Sequence, residues 1–164
     1  MEYCIAFGLC NRRLMMQRIE EVIADAIPDA EFESMINIAH NYAAWEDHFG
    51  ENCIVHRKGA TRARLPGSQG TSSYIVEGLG NPDSFMSCSH GAGRAMSRTE
   101  AVHTLDLEKE KERLDKLGIV HAIRCQQDLE EAASAYKNIE EVIAEELDLV
   151  KVKVHLSPIA VIKG

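Results

Sequence analysis

The sequence predicts a mixed α+β class, in which small mixed sheets carry peripheral helices. Three observations predict it: apolar residues recur at helical spacing near both ends, they alternate in the middle and again near residue 150, and Gly- and Pro-rich turns separate the alternating runs. With 164 residues, 45% of them hydrophobic and 27% charged, the chain can bury a core and is read as a single domain over 1–164. The same composition excludes disordered, collagen-like and low-complexity classes.

Ile19, Val22, Ile23 and Ala26 fall on one helical face, which predicts a helix from the first residue to about Ala26, ended by Pro28. Ser34, Ile36, Ile38 and His40 alternate, so a strand is expected over 32–40, delivering His40 to its end. Further strands are expected over 53–58 and 73–76, with turn-rich stretches at 66–70 and 78–82. Ser97-Arg98-Thr99-Glu100 has the spacing of a capping box and starts a helix. A charged helix over 106–117 is stopped by Gly118, and Ile139, Val142 and Ile143 mark another over 138–146. Val150, Val152, Val154 and Leu156, alternating with Lys151, Lys153 and His155, form the last strand.

Eighteen Lys and Arg against 26 Asp and Glu give a net charge of −8, which argues against sequence-independent coating of nucleic acid. Basic side chains nevertheless concentrate over 56–64, His-Arg-Lys-Gly-Ala-Thr-Arg-Ala-Arg, so a local phosphate site is compatible with the balance. No apolar run reaches the length of a membrane span, the start lacks the pattern of an export signal, and no membrane partner is expected. Cys4, Cys10, Cys53, Cys88 and Cys125 are an odd, widely spaced set without a Cys-x-x-Cys pair, which predicts reduced thiols and a cytoplasmic location.

The stretch richest in chemistry is 87–94, where His90 precedes Gly91, Ala92, Gly93 and Arg94. Glycines let a backbone approach a ligand closely and turn successive N–H groups toward an anion, phosphate above all. A neutral imidazole there is a nucleophile toward phosphorus; the other reading is a histidine hydrogen-bonded in a glycine turn. His40, beside Asn41 and Tyr42, is either a metal ligand through one ring nitrogen or a structural histidine. Residues 66–73 offer backbone and hydroxyl donors, or form a plain loop. Tyr136 stacks on a base or packs at a helix start, Lys163 alone reads as a solvated terminus, and 107–116 reads as a solvated helix face.

Taken in order, His40-Asn41-Tyr42, the run Val-His-Arg-Lys-Gly-Ala-Thr-Arg-Ala at 55–63, Pro66-Gly67-Ser68, Ser89-His90-Gly91-Ala92-Gly93-Arg94 with Met96-Ser97-Arg98, Ala135-Tyr136-Lys137 and Val161-Ile162-Lys163-Gly164 resemble the RtcB family of GTP-dependent RNA ligases. The resemblance runs from the first helix to the final glycine. It corresponds to the carboxy-terminal part of the family, without the upstream Asp-x-x-Cys segment and the further histidines that complete the metal site, so the fold is expected to be incomplete relative to the family. It implies joining of RNA 3′-phosphate or 2′,3′-cyclic phosphate ends to 5′-hydroxyl ends, such as those of tRNA halves, in tRNA splicing and RNA repair, with GTP and manganese (Mn2+) as cofactors. His90 would hold GMP covalently, and His40 would bind manganese. Asn41, Pro66, Gly67, Ser68, Gln69, Ser73, Gly91, Ala92, Gly93, Tyr136 and Lys163 would surround the guanylate. Arg57, Lys58, Arg62 and Arg94 would hold RNA phosphates without reading bases. Gln69 stands where many relatives have methionine, Asn138 where aspartate is common, and the loop between Arg64 and Pro66 is shorter. The isolated chain is expected not to ligate RNA until an upstream segment or a separate chain completes the metal site. One part of a split ligase, or a non-catalytic nucleotide- or RNA-binding remnant, are the alternatives.

Overall fold

The computed structural model describes residues 2–37, 39, 41–58, 62–66 and 68–161, and of residues 41, 56–58 and 62–66 the backbone. The chain divides into two compact units, 1–60 and 61–164. Among the described residues no helix is long and apolar enough to cross a membrane.

In the first unit, α1 (Glu2–Ala26) occupies the expected range. The strand expected over 32–40 is not there: residues 31–37 have no regular structure, and Ile38 and His40 lie outside the described residues. The physical reason is that this segment is held by side chains and not by a ladder. Asn37 donates to the Leu9 carbonyl at 3.0 Å and accepts from Arg12 Nε at 2.9 Å, which ties the segment back to α1. Strand pairing begins later, where β1 (Asn41–His48) meets β2 (Glu51–Lys58) in an antiparallel hairpin registered from Asn41↔Lys58 to His48↔Glu51. Asn41 therefore opens a strand and does not follow one. Phe49 and Gly50, at φ 56° and 82°, form the two-residue turn with both residues left-handed, the geometry that matches strand twist. Val55 is the one buried apolar side chain among the described residues of this unit.

The second unit is built on a three-stranded antiparallel sheet in which β4 (Ser73–Gly78) lies between β3 (Arg62–Pro66) and β6 (Val150–Leu156). A bulge between Ile75 and Val76 leaves Lys153 as the extra residue on β6, and its ammonium pairs with Glu77 at 2.6 Å. Further on, β5 (Val120–His121) pairs in parallel with β7 (Ala160–Val161). Three helices follow the sheet's first strands. Ser97 caps α2 (Arg98–Thr104) with the full capping box, and Asp106 accepts from the backbone of Glu108 and Lys109 to start α3 (Leu107–Lys116). Asn138 caps α4 (Ile139–Glu145). The end of α3 is a Schellman motif: Gly118, at φ 70°, donates to Asp115 at 3.0 Å and Ile119 donates to Leu114 at 3.0 Å. Leu114 and Ile119 then enter one buried cluster with Ile123, Leu129 and Ala132. A second cluster joins the sheet to α4 through Tyr74, Val76, Ala92, Ile139, Ile143 and Val150. Burial, helped by the hydrogen bond that the Tyr74 hydroxyl gives Glu140, pushes the Tyr74 phenol up to about 12.

Candidate functional site

His90 stands in a loop, because the chain turns before it. Pro82–Ser84 form a 3-10 turn, and Phe85 and Met86 take left-handed φ of 55° and 53°, so residues 87–89 have no regular structure. The loop is nonetheless fixed on both sides of the histidine. Upstream, the Ser89 backbone donates to both carboxylate oxygens of Glu146 at 3.3 and 3.2 Å, and the Ser89 hydroxyl donates to the same carboxylate. Glu146 is itself buried at the carboxyl end of α4. Downstream, Ala92 is 4% exposed within the sheet–α4 cluster. Gly93, at φ 74°, then accepts from the Lys137 backbone at 3.0 Å. Only glycine adopts that φ without strain.

The same contact brings Tyr136 to the turn. Arg94 and Tyr136 form an isolated antiparallel bridge, and Ala95 donates to the Ala135 carbonyl at 2.9 Å. The Arg94 guanidinium lies over the Tyr136 ring, 4.8 Å from its centroid, and donates to the Tyr136 hydroxyl at 3.0 Å, to the Met96 carbonyl at 3.0 Å and to the Glu130 carbonyl. Arg94 and Arg98 both reach Glu131, at 3.3 and 2.9 Å, and the Tyr136 hydroxyl donates to it as well. Partial burial alone would raise the Glu131 carboxyl; the bonds from Tyr136 and Arg98 and the charges of both arginines outweigh it and hold the group below the usual glutamate range. Burial, then the Glu131 carboxylate, raises the Tyr136 phenol. Glu131, Arg98 and Glu146 carry this arrangement, and no local pattern in the sequence signals the two glutamates.

The loop 68–73 makes a compact turn in which the Ser68 backbone donates to the Thr71 hydroxyl at 2.6 Å and the two hydroxyls meet at 2.9 Å. Gly70 is buried against α3: a Cβ there would lie 2.9 Å from Leu114 Cδ2 and 3.5 Å from Ala133 Cβ. Thr71 and Ser72 share an open cleft of about 400 Å³ with Asn138 and Glu140. The Gln69 amide oxygen is buried without a hydrogen-bond partner among the described residues.

The second unit thus joins the turn after His90 to the Tyr136 segment through Gly93 and Arg94, and packs Gly70 of the Ser68–Ser73 loop against Ala133, on the segment leading to Tyr136. Asn41, Arg57 and Lys58 belong to strands of the first unit, and Arg62 and Pro66 to β3. His40, Gly67 and Lys163 lie outside the described residues. Among the described residues no group of three or more His, Cys, Asp or Glu side chains could hold a metal ion.

His90 thus sits half-buried in a loop between two anchors, with Gly91 and Gly93 following it. The chain belongs to the RtcB family: the family described as tRNA-splicing ligase RtcB matches residues 1–164. It is 40% identical to RNA-splicing ligase RtcB1 of Escherichia coli over 96% of this chain and 41% of that protein. It is 33% identical to tRNA-splicing ligase RtcB of Nanoarchaeum equitans over 96% of this chain and 40% of that protein. Its identity to RNA-splicing ligase RtcB homolog 1 of Entamoeba dispar is 33%, over 100% of this chain and 37% of that protein. The chain therefore spans about two fifths of the length of these relatives.

Proposed function

We propose that this chain is the guanylate-carrying part of an RNA ligase that joins 3′-phosphate or 2′,3′-cyclic phosphate ends to 5′-hydroxyl ends, using GTP and manganese. The observation that carries the reading is the fixed backbone on both sides of His90, from Ser89 on Glu146 to Gly93 on Lys137. Holding a nucleophile and its flanking N–H groups in place beforehand removes an ordering cost from the barrier.

In this reading an imidazole nitrogen of His90 forms a bond to the α-phosphorus of GTP as the bond to pyrophosphate breaks, and the ring loses its proton to solvent. An oxygen of the RNA 3′-phosphate, present from the start or formed when water opens a 2′,3′-cyclic end, then displaces the imidazole and takes the GMP. The 5′-hydroxyl attacks the activated 3′-phosphate, gives its proton to solvent and expels GMP. One difficult condensation becomes three displacements. Manganese would neutralise charge on the phosphates. His40 is the expected donor for it, and further ligands would come from the family portion that this chain does not span. Gln69 would accept from the base. Arg57, Lys58 and Arg62 would meet RNA phosphates, and Arg94 would have to leave Tyr136 and Glu131 to join them.

Incubation with α-labelled GTP and manganese tests the reading. A label that survives denaturation, is lost in His90→Ala and is kept in His155→Ala supports it. Absence of any adduct after the remaining family portion has been supplied refutes it.

A further inference from the structure

We infer that α1 is an interior helix of a larger fold, covered by the portion of the RtcB fold that this chain does not span, whether on the same polypeptide or another; the inference rests on the family membership and the proposed function above. The first observation is exposure. None of the 25 residues of α1 is buried, and Tyr3, Phe7 and Val22 are 82%, 65% and 68% exposed. Patches of that kind on a soluble chain mark surfaces meant for a partner.

The second observation is where the apolar residues point. At about 100° per residue, Tyr3, Phe7, Cys10 and Leu14 share one line along the helix. Met15, Ile19, Val22 and Ile23 share another, roughly 130° further round. A third side, with Ile5, Leu9 and Met16, is already half-buried. Glu2, Arg13, Gln17 and Glu20 hold the remaining side, so apolar residues occupy three sides of α1, more than the single stripe of a surface helix. The break between Leu14 and Met15 also argues against a second copy of this chain, because a two-fold helix pair covers one continuous stripe. The occupant must wrap both sides.

The third observation is length: the matched Escherichia coli relative has more than half of its chain outside the 41% that aligns, which is enough to cover both sides.

The test compares Phe7→Glu and Val22→Glu in two proteins: this chain alone, and a fusion of the unmatched portion of the Escherichia coli relative to this chain. Alone, neither substitution should move Tm by more than about 1 °C, as for exposed sites generally. In the fusion each should lower Tm by several degrees, and α1 amides should exchange about tenfold more slowly than in the isolated chain. A Tm loss in the isolated chain, or a dimer of it dissolved by Val22→Glu, overturns the inference in favour of cover from within the chain or from a second copy. A fusion whose α1 exchanges as fast as in the isolated chain also overturns it. Neither readout depends on guanylylation, so a protected α1 without a His90 adduct would refute the ligase reading alone.

Discussion

Glu131 is the residue on which the neighbourhood of His90 converges, because Tyr136, Arg94 and Arg98 all reach its carboxylate. Its depressed pKa carries a pH signature. A carboxyl whose folded value lies below its unfolded value stabilises fully above the ordinary glutamate pKa of about 4.3, and that contribution fades as pH falls through the folded value. Glu131→Gln keeps the shape and removes the charge. The variant should lose this acid-side dependence, and its Tyr136 phenol should ionise at lower pH than in the parent. The phenol should not return fully to the ordinary range, since burial is the larger cause of its shift. Ultraviolet titration of tyrosinate, with Tyr136→Phe as the reference that isolates this one ring, measures the change. An unaltered Tyr136 titration would mean that the carboxylate does not hold the ring.

At the scale of elements, the loop 68–73 depends on a missing side chain. A Cβ on Gly70 would stand 2.9 Å from Leu114 Cδ2, and Leu114 is 3% exposed within its cluster, so it has little room to withdraw. Gly70→Ala should cost roughly 1–3 kcal/mol in urea unfolding, the range for overpacking a filled site. If the proposed function holds, it should also weaken GTP binding, because displacement of the turn moves Ser68 and Gln69 with it; titration calorimetry of the two proteins makes the comparison. Helix ends on either side were legible in the sequence, because caps act within four residues of themselves: Ser97 and Gly118 perform the expected roles, and Asp106 and Asn138, expected as first helical residues, stand one position earlier as caps. The hairpin was not, because its turn is Phe49-Gly50 and not Asn-Gly, and β1 lacks the β-branched residues that announce a strand. Alternation over 32–38 misled for the complementary reason, since a periodic pattern becomes a strand only when a partner ladder exists. The site divides the same way. His90 and its glycines stood out as a motif, but the Gly93–Lys137 bond and the buried Glu146 join residues more than forty positions apart, and nothing local encodes such pairings.

For the whole molecule, the distribution of buried apolar surface decides which part unfolds cooperatively. Both buried clusters lie within 61–164, whereas the described residues of 1–60 bury Val55 and expose a 25-residue helix. The slope of free energy against urea scales with the surface uncovered on unfolding. A segment that buries almost nothing adds almost nothing to that slope, even when it is a quarter or more of the chain. The fragment 61–164 should therefore match the full chain in midpoint and, to within about 10–15%, in slope. The helix signal of α1 should decay gradually over the same urea range, since most helical stability comes from packing and no residue of α1 is buried. Circular dichroism of both proteins makes the comparison, with Tyr fluorescence of the second unit as an independent probe. A full-chain slope well above that of the fragment would place α1 inside the cooperative core of the isolated chain, and the need for an outside cover would disappear. The two measurements bind each other, because a helix that contributes no slope alone and a large one in the fusion has been buried by what was added.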